Sequence, residues 1–212
     1  MIKSKERISN FGEVFTSTRE VNAMLDLVHH ETARIDSRFL EPACGNGNFL
    51  IRVLETKLNV VKAQYRKSQS DFEKYSFLSV ASLYGIDILE DNVRECRLRL
   101  SECIRKTYAG IFREATNQNF YEAIAFVLSK NILAGDALTM KAQNGVDDLL
   151  LSEWSFSKGN KVKRTEYALS NILAYQPFEG DSLFSDLGDE VIIPKPTKTY
   201  PQMNFLDLTD EF

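Results

Sequence analysis

The chain has 212 residues, of which 26 are Lys or Arg and 30 are Asp or Glu, so its formal net charge is −4 and its pI is about 5.4. This length suits one ordinary domain, and the 43% of hydrophobic residues excludes a wholly disordered chain. The acidic balance argues against a module that coats nucleic acid by charge alone, because such domains usually have a pI above ~9.

The sequence carries no pattern typical of a membrane protein. Residues 1–10 are charged and lack the apolar core of a signal peptide, and no stretch approaches the ~18 apolar residues of a membrane span. We therefore expect a cytoplasmic protein with no membrane association.

Few residues in the chain are suited to disulfides, metal ligation or histidine-based catalysis. The three cysteines lack CxxC spacing, which disfavours a disulfide framework or a zinc knuckle. The two histidines are adjacent, and we interpret both as surface residues rather than as metal ligands or members of a catalytic triad. We expect no metal site. These residues are Cys44, Cys96, Cys103, His29 and His30.

The first predicted elements are a helix followed by a strand, a loop and a second helix. Apolar residues recur at helical spacing over 21–28, after Thr18, which we interpret as the N-cap. Residues 37–41 predict a short strand that ends at Pro42, and apolar spacing over 49–58 predicts the helix that follows.

The rest of the body continues this alternation. A strand over 83–87 precedes helical spacing over 89–103, a helix over 121–129 leads to a strand over 131–134, and the leucines of 149–151 indicate another buried strand. Alternating strands and helices predict an α/β sandwich with a mostly parallel sheet. Ligands bind such sheets beyond the carboxyl ends of the strands, so we look for site residues there.

The composition changes near Gln176. Four of the five prolines lie beyond it, and residues 176–212 hold eight acidic and two basic side chains. We predict a domain over 1–175 and an acidic, proline-containing tail over 176–212. Such a segment is too short and too rich in proline and charge for a core of its own, which favours an extended segment laid over the body or used for a partner.

The loop between the first predicted strand and its helix, called the glycine loop here, covers residues 41–49 with the sequence EPACGNGNF. Its glycines can let a ligand approach the backbone, although a tight turn explains a GxG pattern equally well. Asp87, at the end of the next strand, is placed to accept both hydroxyls of a ribose. A separation of 42 residues from Gly45 to Asp87 and the absence of a third glycine disfavour a nicotinamide dinucleotide site.

Four motifs in a fixed order resemble one family. They are FGEVFT at 11–16, FLEPACGNGNFL at 39–50, YGIDILEDNV at 84–93 and NILAGDALT at 131–139. Together they resemble the S-adenosylmethionine-dependent DNA methyltransferases that act on adenine in restriction and modification systems. The resemblance covers about residues 11–156.

This resemblance implies a Rossmann-like class I methyltransferase sandwich with S-adenosylmethionine as its cofactor. Carried over by position, Thr16 and the glycine loop would hold the methionine part, Asp87 the ribose, and Ile88 and Asp136 the adenine. The alternatives are that Phe15 and Ile88 are core residues, that Glu41 caps the loop and that Asp136 forms a turn. The cofactor-binding residues implied are Phe15, Thr16, Glu41, Ala43, Gly45, Gly47, Asp87, Ile88 and Asp136.

The expected catalytic motif departs from the family. Where the family has Asn or Asp, two prolines and an aromatic residue, this chain has Glu153-Trp154-Ser155-Phe156. Glu153 would accept a hydrogen bond from the target amino group and favour the charge that develops there, and Phe156 would stack on a base flipped out of the duplex. The alternative is that Trp154 and Phe156 are core aromatics of a site that no longer methylates.

These features leave two hypotheses. The first is an adenine DNA methyltransferase subunit, and the second is a non-catalytic S-adenosylmethionine-binding protein with an assembly or regulatory role. A small-molecule methyltransferase is disfavoured because FGEVFT and EPACGNG resemble the DNA enzymes.

Residues 157–161 predict a hairpin turn, and Lys163 and Arg164 after it would touch phosphates or face solvent. Because few residues follow Phe156, we expect weak, sequence-indifferent DNA binding by the chain alone, with a separate recognition or restriction subunit as its partner.

Overall fold

The computed structural model describes residues 16–113, 117–174 and 194–208, together with Arg7 and Ser9. These residues form a mixed α/β fold with two β-sheets. In chain order the elements are α1 (Thr18–Leu27), α2 (His29–Thr32), β1 (Phe39–Glu41), α3 (Asn48–Tyr65), α4 (Gln69–Ala81), β2 (Leu83–Asp87), α5 (Glu90–Phe112), α6 (Gln118–Asn131), β3 (Ile132–Asp136), β4 (Lys141–Ala142), β5 (Leu150–Phe156), β6 (Lys161–Ala168), α7 (Leu169–Leu173), β7 (Lys198–Thr199), β8 (Met203–Asn204) and a 3-10 turn (Phe205–Asp207).

The first sheet has the order β1-β2-β3-β4 and is mostly parallel, which confirms the predicted α/β class. β1 pairs in parallel with β2 and β2 with β3, while the short β4 runs antiparallel to β3. The three parallel strands end at Glu41, Asp87 and Asp136. We call the side where they end the carboxyl edge and the opposite side the amino edge.

Helices α3 and α5 cover the sheet with apolar stripes. Leucine and valine side chains of α3 recur every three or four residues and are fully buried, and α5 does the same with Val93, Cys96, Leu100 and Ile104. Each fully buried side chain of this size contributes about 1.5–3 kcal/mol. The sequence therefore predicts both helices from their period.

Helix α4 was not expected from the sequence. It is buried almost all round, so its apolar residues are mixed with buried polar ones such as Glu73, and no helical stripe stands out. The Glu73 carboxylate accepts hydrogen bonds from the Tyr108 hydroxyl of α5 at 2.7 Å and from the Asn117 amide before α6 at 3.0 Å. This buried network joins three helices.

Smaller differences concern the ends of helices. The N-cap of α1 is Ser17 rather than Thr18, because the Ser17 hydroxyl accepts from the Glu20 N–H and the Glu20 carboxylate accepts from the Ser17 N–H. Such a reciprocal box satisfies two backbone donors at once.

His29 and His30 are exposed, as predicted, and the three cysteines carry free thiols.

The amino edge is held by a buried lysine. Lys57 of α3 is fully buried, and its ammonium donates to the carbonyls of Ile35 and Ser37 and to the Ser82 hydroxyl. These acceptors precede β1 and β2, so one side chain fixes where both strands begin. Burial lowers the pKa of Lys57 to about 7.

The second sheet is an antiparallel ribbon separate from the first. β5 and β6 form a hairpin through the predicted turn at 157–161, and β7 and β8 both pair with β6. The predicted strand at 149–151 is therefore longer, covering 150–156, and it does not join the parallel sheet.

Contacts at the two ends of β5 show the direction of this strand relative to the first sheet. Just before β5, the Leu149 N–H donates to the carbonyl of Met140, which lies beyond the carboxyl end of β3. Later in β5, the Trp154 indole donates to the side chain of Asn131, directly before β3, at 3.0 Å. β5 therefore runs from the carboxyl edge to the amino edge, opposite to β3.

Residues 194–208 of the predicted tail belong to the folded body. Tyr200 covers a buried ion pair, since its ring lies 4.4 Å from the Arg164 guanidinium and its hydroxyl donates to Glu166 at 3.0 Å. Phe205 is fully buried, with its ring 5.2 Å from that of Phe77 in α4. The predicted boundary at residue 176 therefore does not separate this segment from the core.

No helix in the described ranges is long and apolar enough to cross a membrane.

Truncating Phe205 tests whether this segment contributes to the core. Phe205→Ala should lower the free energy of unfolding by about 3–5 kcal/mol, because it leaves a cavity among packed aromatic rings. Asp207→Asn, two residues away and exposed, is the matched control and should change it by less than about 0.5 kcal/mol. Urea unfolding followed by circular dichroism measures both. Equal effects of the two substitutions would contradict the packing described.

Candidate functional site

Three loops converge at the carboxyl edge. The glycine loop follows β1, Asp87 ends β2 and Asp136 ends β3, and the register places Glu41 beside Gly85 and Asp87 beside Ala134. The parallel pairing therefore brings three sequence-predicted regions to one side of the sheet. This is the position at which α/β sheets bind ligands.

The glycine loop has a conformation that requires glycine. Gly45 and Gly47 have φ angles of +51° and +84°, in the left-handed region that side chains disfavour. A Cβ atom on Gly47 would also lie 2.5 Å from the sulfur of Cys96 in α5. The loop is therefore pressed closely against α5.

Side chains of α5 hold the loop in place. The Arg99 guanidinium donates to the Asn46 carbonyl at 2.7 Å and to the Asn48 side-chain oxygen at 2.9 Å. The Asn46 amide donates to Glu95 at 3.1 Å, and the Asn48 amide donates to the Thr16 carbonyl at 3.0 Å. Thr16 and the glycine loop are thus brought together, as predicted. Phe15 lies outside the described residues.

Asp87 connects the loop to β2 and α5. Its Oδ2 accepts from the Gly45 N–H at 2.8 Å, and its Oδ1 accepts from the Leu89 N–H at 2.9 Å and the Asn92 amide at 3.3 Å. A carboxylate offers about four lone-pair positions, so it can accept a further donor. Ile88, directly after it, is 50% exposed, so the alternative that it is a core residue is wrong.

Asp136 lies in a turn at the end of β3. Its Oδ1 accepts from the Leu138 N–H at 2.8 Å, and this hydrogen bond lowers the pKa of Asp136. The predicted turn-forming role is therefore present, and the carboxylate remains charged at neutral pH. Leu138 is almost fully exposed beside it, so the carboxyl edge presents apolar surface next to two carboxylates.

Two buried oxygens of the glycine loop lack hydrogen-bond donors. Glu41 Oε2 and Asn46 Oδ1 accept no hydrogen bond from any residue that the structure describes. Burial raises the pKa of Glu41 to about 7. Both residues line a cleft of about 20 Å³ together with Thr16, Ala43, Cys44, Gly45, Asn48 and Phe49.

Asn46 was missed by sequence reasoning. It stands between two glycines, where an Asn is expected to serve the turn. Only the structure, which buries its side-chain oxygen without a donor, makes it a candidate for contact with a ligand. The role of Glu41 as a simple cap is also not seen, since one of its oxygens accepts nothing in the described part of the chain.

The structure does not bring the predicted catalytic residues to this edge. Glu153 and Phe156 lie inside β5, not after a strand that ends at the carboxyl edge. Glu153 accepts hydrogen bonds from the Arg38 guanidinium and from the Tyr167 hydroxyl. Arg38 directly precedes β1, so Glu153 lies at the amino edge, and the five residues of β2 alone span about 13 Å between the edges.

Phe156 packs among aromatic side chains. Its ring lies 5.6 Å from that of Phe77 and 5.7 Å from that of Phe205, and Trp154 is buried against Phe77 and Phe126. Both residues therefore match the alternative reading as core aromatics. The prediction that Glu153 and Phe156 lie beside the glycine loop is wrong because β5 runs antiparallel to β3. The carboxyl end of β5 therefore points away from the glycine loop.

A second cavity lies at the amino edge beside Glu153. Its volume is about 350 Å³, and its walls are mostly apolar. Burial raises the pKa of Tyr84 to about 12 there. The residues that line this cavity are Arg38, Leu40, Tyr84, Leu151, Glu153, Tyr167, Ile172 and Pro194.

The basic residues after β5 differ in their exposure to solvent. Arg164 is buried and paired with Glu166, so it does not face solvent as one prediction required. Lys158 and Lys161 are exposed in the hairpin turn. Within the described ranges, no group of three His, Cys, Asp or Glu side chains is arranged to hold a metal ion.

Comparisons with known proteins identify no relative. No protein family, no curated protein and no solved structure matches this chain.

Neutralising Glu41 should stabilise the protein above neutral pH. The folded chain keeps the Glu41 proton up to about pH 7, whereas the unfolded chain loses it near 4.3, so folding becomes less favourable as pH rises through this window. Glu41→Gln should therefore raise the free energy of unfolding at pH 8 by about 1–3 kcal/mol, and change it little at pH 5.

Urea unfolding of both proteins at the two pH values measures this difference. Glu102→Gln, which neutralises an exposed carboxylate on α5, is the control and should have no such pH-dependent effect. A Glu41→Gln protein that is no more stable than the parent at pH 8 would show that the carboxylate is not desolvated.

Proposed function

We propose that this chain binds S-adenosylmethionine at the carboxyl edge of its first sheet and acts as a subunit of an adenine-specific DNA methyltransferase. One observation carries the proposal: the glycine loop, Asp87 and Asp136 converge at one edge in the motif order of that family, and the glycine loop contains two unsatisfied buried oxygens. Buried acceptors without donors are uncommon in native proteins, so these two oxygens favour a ligand over a purely structural turn.

The residues present fit this cofactor. Its ammonium group and ribose hydroxyls are donors, which the cleft oxygens and the remaining capacity of Asp87 match. Ile88 is exposed to cover one face of an adenine ring, and Asp136 is charged and at the same edge to accept from its amino group. The cofactor itself supplies a methyl group on a sulfonium, and the chain binds and orients it.

The described residues place neither Glu153 nor Phe156 at the carboxyl edge to receive the adenine that would accept the methyl group. An adenine amino group needs a hydrogen-bond acceptor beside the cofactor as positive charge develops on nitrogen. Glu153 is at the amino edge and is engaged by Arg38 and Tyr167. We therefore assign the acceptor groups and the reading of the DNA sequence to a second polypeptide.

A second candidate function is a non-catalytic S-adenosylmethionine-binding protein with an assembly or regulatory role. The packing of Phe156 among aromatic rings and the position of Glu153 favour it, because neither side chain reaches the glycine loop. Transfer of a labelled methyl group to DNA, with and without co-purifying proteins, distinguishes the two. Transfer in the presence of a partner supports the subunit, and its absence in every combination supports the non-catalytic protein.

Cofactor binding by the isolated chain tests the first part of the proposal. Asp87→Ala should weaken binding of S-adenosylmethionine by about 1–3 kcal/mol, since it leaves ribose hydroxyls unpaired and frees the Gly45 N–H. Asp71→Asn, exposed in the first turn of α4, should bind normally. Calorimetry measures both after circular dichroism has shown equal folding. No binding of millimolar cofactor to the parent chain would refute the proposal.

Substitution of Glu153 tests the acceptor assignment. If transfer occurs with a partner present, Glu153→Gln should leave both the rate and the cofactor affinity within about twofold, because a group at the amino edge does not touch the reacting atoms. A loss of transfer above about a hundredfold with unchanged cofactor affinity would return Glu153 to the mechanism.

A further inference from the structure

The cavity at the amino edge is a space between two facing sheets. Leu40 and Tyr84 are partners in the pairing of β1 with β2, so their side chains share one face of the first sheet. Leu151 and Tyr167 are partners in the pairing of β5 with β6, and Glu153 lies two residues after Leu151, so these three share one face of the ribbon. All five side chains line the cavity of about 350 Å³. A space between two sheet faces suits a flat molecule.

Apolar side chains fill the layer between the sheets on one side of this cavity. Towards the carboxyl edge, Ile86 and Leu149 are buried in a small apolar cluster. At the cavity itself, Leu40 is 42% exposed and Ile172 of α7 is 37% exposed. Two large apolar residues that are exposed towards one cavity, rather than scattered over the surface, indicate a binding site for an apolar group.

The two tyrosine hydroxyls of the cavity offer acceptors to a ligand. The Tyr84 hydroxyl donates to the Ser152 carbonyl at 3.1 Å, and the Tyr167 hydroxyl donates to the Glu153 carboxylate at 3.2 Å. Since a phenol has a single proton, each of these oxygens retains only its capacity to accept. A ligand that bonds to either tyrosine must therefore supply an N–H or O–H group.

The charges that line the cavity cancel. Among the described lining residues, the charged side chains are one arginine and one glutamate, and the Arg38 guanidinium donates to the Glu153 carboxylate at 2.5 Å. A charged ligand would meet a like charge beside the group that attracts it and would lose part of its hydration. A neutral ligand is therefore favoured.

We propose that this cavity is a second binding site, which takes a small, flat, neutral molecule with an apolar ring system and an N–H or O–H donor, of the class of indoles and phenols. The ring lies between the apolar side chains of the two sheets, and its donor bonds to the hydroxyl oxygen of Tyr84 or Tyr167. The site lies at the opposite edge of the first sheet from the proposed cofactor site and does not depend on it.

Two bicyclic probes of the same shape test the need for a donor. Indole carries an N–H group, and benzofuran has an oxygen atom in its place. Titration of the isotope-labelled full chain with indole should shift the amide resonances of Leu40, Tyr84 and Tyr167 in a saturable way and leave those of Gly45 and Asp87 unchanged. The dissociation constant should be about twofold to tenfold lower for indole than for benzofuran, which is the effect of one hydrogen bond.

A larger side chain in the wall of the cavity tests the location. Leu40→Trp should weaken indole binding by more than about tenfold, because the indole ring of the new side chain takes the space of the ligand. Leu98→Trp places the same side chain at an exposed position of α5 and should bind indole as the parent does. Circular dichroism establishes beforehand that both variants are folded.

Two further variants test the acceptors without changing the volume of the cavity. Tyr84→Phe and Tyr167→Phe each remove one hydroxyl, so in at least one of them the preference for indole over benzofuran should fall to near equality. Binding of benzofuran should stay within about twofold of the parent in that variant.

Three results would overturn the inference. Shifts at the cavity that grow without saturation, or indole binding that is unchanged in Leu40→Trp, would show that the cavity is not a binding site. Equal affinity of the parent chain for the two probes, or a preference for indole that survives both tyrosine substitutions, would contradict the hydrogen bond to a tyrosine oxygen.

Discussion

The hydrogen bond from the Gly45 N–H to Asp87 connects the features on which this account depends. It ties the glycine loop to the end of β2, and the same carboxylate caps the start of α5 through Leu89. Because α5 in turn holds the loop through Arg99, a strand end, a loop and a helix form one closed unit. This unit holds the loop that carries the buried oxygens of Glu41 and Asn46.

The direction of β5 decides what the chain can do with a bound ligand. An antiparallel ribbon carries Glu153 and Phe156 to the amino edge, where Arg38 and the aromatic core engage them. Residues 194–208 then secure the ribbon, because Tyr200 closes over its buried ion pair. The residues predicted to bind the cofactor and those predicted to accept the methyl group are thus separated within the described residues. Under the proposed function, a completing partner is therefore the simplest route to transfer.

Sequence reasoning succeeded where one face of an element is apolar or where glycine is required. It predicted β2 correctly because residues 83–87 are an unbroken buried run, and it found the glycine loop from its motif. Helix α4 was missed because burial on all sides removes the helical period. The direction of β5 and the orphaned oxygen of Asn46 depend on long-range packing, which no local pattern records.

The location of cofactor binding is the central claim, and amide chemical shifts test it most directly. A titration of the isotope-labelled chain with S-adenosylmethionine should shift the amide resonances of Gly45, Asp87 and Asp136 in a saturable way. The amides of Glu153 and Tyr167 at the amino edge should remain unchanged. Saturable shifts confined to Glu153 and Tyr167, or no shifts at the three strand ends, would contradict a site at the carboxyl edge.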